Sequence, residues 1–196
     1  MKTAILYRWF AKRANKMYFF STLITLILWN ILLAILTKKI IPENSQTIKI
    51  LDLENGYTPA QVYEWWNNYL PDGLWWYSFI NCFVDVLYPI TYTLFAIFTL
   101  VILLEYSVPK LVNNLYKLCF LPVVVFVADM IENVSVFVAL RKFPAPSNTV
   151  LEIASVFTQI KWLFLIIVLT LIIIGIATYF ANGKEAKNHL NNYNIL

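Results

Sequence analysis

Ala128-Asp129-Met130-Ile131-Glu132-Asn133 sits in the middle of an apolar run, Leu118 to Leu140, where charged groups are expensive to keep. On an α-helix Asp129, Glu132 and Asn133 stand at i, i+3 and i+4, so all three project from one face. A helix that carries two carboxylates through lipid has to turn them toward other protein groups. The stretch therefore predicts a helix bundle with a polar interior, not a single apolar anchor.

The rest of the chain agrees. Its residues are 60% hydrophobic and 13% charged, with a mean hydropathy of +0.67. A soluble domain carries roughly 45–50% apolar and about 25% charged residues. The composition indicates an integral membrane protein.

Four apolar runs are long enough for the roughly 20 residues a bilayer needs. They lie at about 17–37, 74–104, 118–140 and 150–180. The expected fold is an all-α membrane protein: a four-transmembrane-helix bundle, residues 17–180, with a short amphipathic N-terminal helix and one outer-side interfacial helix.

Residues 1–16 alternate Lys2, Arg8, Lys12, Arg13 and Lys16 with Ile5, Leu6, Trp9 and Phe10. They are expected to form an amphipathic basic segment on the inner membrane surface. A cleaved signal peptide is the competing reading. Against it, the following apolar run is long and ends in Lys38-Lys39-Ile40-Ile41-Pro42, not in a small-residue cleavage site.

The outer loop, 42–73, begins with a weakly strand-like piece from Thr47 to Leu53. Thr58-Pro59-Ala60-Gln61 then reads as a helix start, with Thr as cap, Pro at the first helical position and Gln three residues after the cap. That helix is expected to run to about Leu70. Its aromatic side, Val62, Trp65, Trp66 and Tyr69, suits an amphipathic helix lying along the outer interface; a lid over a ligand is the other reading.

In the second span Asn81, Asp85, Tyr88 and Tyr92 make a polar stripe at helical spacing. Pro89 lacks an N–H and frees a carbonyl near Asp85. The third span contains Pro122, a kink candidate. The fourth carries Ser155, Thr158 and Lys161 before a clean apolar stretch, Leu163 to Ile174. Residues 181–196 form a polar tail.

Positive charge sets the orientation. With both termini cytoplasmic, the inner segments hold nine Lys/Arg and two acids, the outer segments five Lys/Arg and six acids. A plasma (inner) membrane location follows as the expectation, with Lys38-Lys39 and Arg141-Lys142 snorkelling to outer headgroups. The inner count includes Lys110, Lys184 and Lys187.

Counted from the outer ends, Asn30, Asp85, Asp129, Glu132 and Lys161 fall at one level, roughly 10–17 Å deep at about 1.5 Å per residue. Lys161 is the natural partner for Glu132 or Asp85. Three carboxylates against one ammonium leave an excess of negative charge. The candidate ligand- or proton-binding residues are thus Asp85, Asp129, Glu132, Asn133, Lys161, Asn30, Asn81 and Tyr88.

These residues suggest a protein that binds or moves protons or a small polar or cationic solute. One protomer is small for a solute pathway, so a conducting form is expected to self-associate. The alternative is a non-catalytic sensor, effector or assembly subunit with a structural charge network. A third reading is an intramembrane lipid-modifying enzyme using Asp129 and Glu132 as acid and base; the sequence leans away from an enzyme.

No cofactor or metal motif and no nucleic-acid partner is expected. Walker and Rossmann glycine patterns, CxxC and HExxH are absent, and the single histidine, His189, lies in the tail. Cys82 and Cys119, both within apolar runs, suit small buried residues.

Overall fold

The computed structural model describes the backbone of residues 2–43, 45, 47–107 and 111–193, with side chains described as far as Ala181 except that of Lys2. The Pro109 and Lys110 positions in the predicted short connection, and the side chains of Lys184, Glu185, Lys187 and His189, lie outside the described residues. The described residues are helical or irregular, with no strand among them.

Four helical segments are long and apolar enough to cross a membrane: Lys16–Thr37, Gly73–Ser107, Val112–Lys142 and Asn148–Ala181. They match the four expected runs, the second and third extended by a few residues at their ends.

The first of these, α2 (Lys16–Thr37), is capped by Asn15, whose side chain accepts from the Tyr18 N–H. It is preceded by α1 (Lys2–Ala11), which packs against the second span and a 3-10 turn before the third. Tyr7 and Phe10 of α1 are buried there, while Ile5, Leu6 and Trp9 stay exposed.

The second segment is α4 (Gly73–Phe79), a π-helical turn (Ile80–Val84) and α5 (Asp85–Ser107) in continuous succession. The Asp85 N–H reaches back five residues to the Ile80 carbonyl. Pro89 follows one turn later, inside α5. A wide turn followed by a proline is a combination that bends a helix and loosens its hydrogen-bond ladder.

The third segment joins α6 (Val112–Leu115), a 3-10 turn (Tyr116–Phe120) and α7 (Leu121–Lys142). Pro122 sits in the first turn of α7. It starts that helix instead of kinking it, because a first-turn N–H has no intrahelical partner to lose. The last helix, α8 (Asn148–Tyr193), is the longest.

Packing centres on α7 and α8, the most extensive helix pair, with α5 against both and α2 against α5. Ala139 and Ala154 are fully buried in one cluster. Small residues of this kind let helices approach closely where lipid removes the usual hydrophobic drive between them. The candidate span in α2 has none of its most apolar window buried within the protein.

The segment between α2 and α4 folds back over one end of the bundle. The expected strand-like piece is instead a 3-10 turn, Leu51–Leu53. Helix α3 (Pro59–Asn67) carries the capping box read from Thr58 and Gln61. Its aromatic side does not face outward along an interface. Val62, Trp65 and Trp66 are buried because aromatic partners lie beneath them: Trp66 meets Phe143 edge to face at 5.6 Å, and the following Tyr69 meets Tyr77 at 5.7 Å.

Gly73 permits the closing approach. A Cβ there would stand 2.8 Å from the Ile40 carbonyl oxygen, which also accepts from the Leu70 N–H at 2.9 Å.

Candidate functional site

Lys161 enters the bundle from α8 and is 8% exposed. Its Nζ lies 2.6 Å from Glu132 Oε2, 3.1 Å from Asp129 Oδ1 and 3.5 Å from Asp52 Oδ1. The directed hydrogen bonds go to Asp129 and Asp52. The shorter contact to Glu132 is an ion pair whose angles do not make a hydrogen bond. Glu132 is completely buried.

Asp129 is held from its other side by the Tyr92 hydroxyl, which donates to Oδ2 at 2.7 Å. A hydrogen bond to a charged acceptor is worth about 1.5–3 kcal/mol. Tyr92 in turn stacks edge to face on Tyr88, their ring centres 5.5 Å apart.

Asp52 is the member the sequence did not reveal. In sequence it is one of the outer-loop acids, yet the 3-10 turn sets it beside Lys161 of α8. Leu51, fully buried, anchors that turn. Trp162 Nε1 donates to the Glu54 carbonyl at 2.9 Å, and the Tyr57 N–H donates to Ser155 Oγ at 2.8 Å. The hydroxyls of Tyr57 and Thr158 are 3.3 Å apart. Burial pushes the Tyr57 phenol well above its ordinary range, and the Glu132 charge pushes in the same direction. Asp52 keeps about a quarter of its side-chain surface exposed, so it stands between the buried charges and the outside.

A second group of polar atoms lies around Asp85. Pro89 cannot donate to the Asp85 carbonyl; Asn133 Nδ2 does so instead, at 3.0 Å. The sequence-read loss on α5 is thus met by a side chain of α7. Asp85 Oδ2, Asn133 Oδ1 and Asn81 Nδ2 are buried without a hydrogen-bond partner. Unmet buried polar atoms are uncommon in folded proteins and call for an explanation.

Of the residues singled out in the sequence, Asp129, Glu132 and Lys161 come into direct contact. Asn133 links them to Asp85, and Asn81 is buried one turn before it. Tyr88 is half-buried and touches the group through Tyr92. Asn30 stands apart: it is exposed, and its amide donates to the Leu26 carbonyl at 2.8 Å, although its side chain also meets Tyr88. The α2 face that Asn30 occupies is exposed at the edge of the bundle.

One carboxylate oxygen each from Asp52, Asp129 and Glu132 lie within 4.8 Å of one another, a spacing that suits a metal ion. Lys161 Nζ already stands among them as the positive charge. Three carboxylates therefore surround one ammonium, with Asp85 a fourth in the same buried layer; if all four ionise, three negative charges remain unmatched. In a dry layer such an excess has to be met by protons or a cation.

Comparison with family models, with curated proteins and with solved structures found no match to this chain.

Proposed function

We propose that this chain is a polytopic membrane protein that binds, or moves, protons or a small cationic or polar solute at the buried layer of Asp129, Glu132, Lys161 and Asp85. In this reading the capped end of the bundle faces outward and both termini are cytoplasmic, the arrangement that the distribution of Lys and Arg favours. The single observation that carries this reading is the charge excess: three carboxylates, Asp52, Asp129 and Glu132, pair with one ammonium, and a fourth, Asp85, is buried in the same layer with no ion-pair partner among the described residues. Ionisable groups placed at membrane depth at such cost mark ion, proton or substrate paths.

Purified protein in lipid vesicles tests it. Binding or flux that varies with pH should be lost in Asp129→Asn and Glu132→Gln. Unchanged behaviour with lowered stability alone would contradict the proposal.

A second reading has its own support. Lys161 of α8 is tied to two other elements at once, the 3-10 turn and α7, so the ion pairs also act as a structural lock between the cap and the bundle. Under this reading the chain is a sensor or assembly subunit whose cap or basic N-terminus meets a partner. Co-purification of a partner that survives Asp129→Asn, with no solute or pH effect in either protein, would favour it over the first.

A further inference from the structure

We infer that the Asp85 side of the layer is a binding site for a monovalent alkali cation, ligated by Asp85 Oδ2 and Asn133 Oδ1. The inference rests on the cation-binding reading above and narrows it to one place and one ligand class.

The two sides of the layer differ in what is already satisfied. Lys161 serves Asp52, Asp129 and Glu132 Oε2. Asp85 has no ion-pair partner among the described residues, and its Oδ2 accepts no hydrogen bond. The charged groups that bear on it are Asp52, Asp129, Glu132 and Lys161; three of these four are acidic, and their negative charge favours a positive guest. Asn81, Asn133 and the backbone supply its neutral surroundings.

Geometry selects oxygen ligands. Asn133 donates through Nδ2 to the Asp85 carbonyl. An amide is planar, so this fixes Oδ1 of the same side chain nearby as a buried acceptor with no donor. Asp85 and Asn133 are 8% and 4% exposed. Hard oxygen donors in a buried site suit alkali or alkaline-earth cations, not soft metals.

Charge selects the monovalent class. Glu132 is shared with Lys161, which leaves Asp85 as the unshared carboxylate. A divalent ion generally gathers several carboxylates or keeps its waters. The three-carboxylate grouping with suitable spacing is on the other side of the layer and contains Lys161.

The π turn and Pro89 make the site possible. Together they release the Asp85 carbonyl from the helix ladder, and without that free carbonyl Asn133 would have no fixed orientation.

The test uses the full chain in phosphatidylcholine nanodiscs. NaCl is titrated against choline chloride at constant ionic strength, with melting temperature and binding of radioactive Na+ as readouts. Saturable Na+ binding and a matching rise in melting temperature are expected. Asp85→Asn should abolish both, and Asn133→Ser should weaken the apparent affinity at least tenfold. Tyr7→Phe, at the opposite end, should leave both unchanged.

If Asp85→Asn fails to fold, Asn133→Ser carries the comparison, and the wild-type Na+ titration stands by itself. Identical behaviour of the wild type in Na+ and choline overturns the inference. If that protein still shows pH-dependent binding or flux lost in Glu132→Gln, the layer handles protons and the proposed function survives without this site. If neither ion nor pH has an effect, both fall.

Discussion

At one end of the bundle Tyr7 and Phe10 of α1 wedge among Phe98, Tyr116 and Phe120, with ring centres 5.5–6.1 Å apart. The Tyr7 hydroxyl donates to Glu105 Oε1 at 2.6 Å. Nearby, an apolar cavity of about 170 Å³ is bounded chiefly by leucines of α5 and residues of α8. At the other end Trp65, Trp66, Tyr69 and Tyr77 pack just as closely, but they roof a layer holding four carboxylates and an ammonium. The same aromatic chemistry thus seals hydrocarbon in one place and charge in the other.

The difference shows where energy is concentrated. At the α1 end, loss of any one contact leaves other packing intact. At the capped end Lys161 is at once the counter-charge of Asp129 and Glu132 and a tie to the loop through Asp52. Trp162 and Ser155 of the same helix hold that loop. Helix α8 therefore joins the cap to the charges, and disturbance of one should be felt in the other.

The largest effect is expected from Lys161→Met, which strips the buried carboxylates of their partner. Breaking a buried pair in this way costs about 3–5 kcal/mol. Denaturant titration in lipid should show that loss, and amide exchange should rise across residues 48–58 as the cap loosens. Exchange in α1 should stay as it was.

Next comes Leu51→Ala, which removes the fully buried anchor beside Asp52. Roughly 2–5 kcal/mol is usual for such a truncation in a packed core, and here the loop can partly collapse, so the lower half of that range is expected. Faster reaction of a cysteine placed at Asp52 with an impermeant thiol reagent would confirm that the cap had lifted; an unchanged rate would separate the cap from the layer.

Tyr92→Phe deletes the donor to Asp129 Oδ2 and should cost about 1.5–3 kcal/mol. Tyr7→Phe, its counterpart at the other end, should cost about 1 kcal/mol, because Glu105 there is not fully buried and water can replace the lost donor. Equal losses at the two sites would break the contrast between the ends.

The smallest effect concerns pH. Burial raises the phenols of Tyr57 and Tyr69 in the cap and of Tyr7 in α1, the last also through its bond to Glu105. A group whose folded value is raised binds its proton more tightly when folded. Its contribution is fully present below the unfolded phenol value of about 10 and is lost as pH climbs above it. Phenolate absorbance should therefore show these rings titrating only with unfolding.

The spans were legible because apolar runs and helical spacing are local properties. So was the pairing of Glu132 with Lys161, because depth along a helix follows from residue count; the same count offered Asp85 as the other partner, yet Lys161 pairs with Asp129 and Asp52 instead. The loosened carbonyl of Asp85 could be read from Pro89, and Asn133 was already placed on the inward face by its i+4 relation to Asp129.

Asp52 could not be reached this way. Its position depends on a loop folding back over α8, and an acid in a loop looks solvated in sequence. The fold-back had partial signals in Leu51 and in the aromatic side of α3, but neither says what lies beneath. The strand-like look of Thr47 to Leu53 came from its β-branched residues; without a neighbouring strand to pair with, the segment satisfies its carbonyls through a tight turn. Asn30 shows the converse, since depth alone does not say which way a helix is rotated.

The most direct measurement is an infrared titration of the carboxyl groups of the protein in lipid, wild type against Glu132→Gln and Asp129→Asn. A protonated-carboxyl band that changes with pH or with added Na+, and loses intensity in each variant, is the predicted result. A carboxyl spectrum indifferent to pH and to Na+, with all three proteins alike, would show that the layer exchanges nothing and would contradict the account.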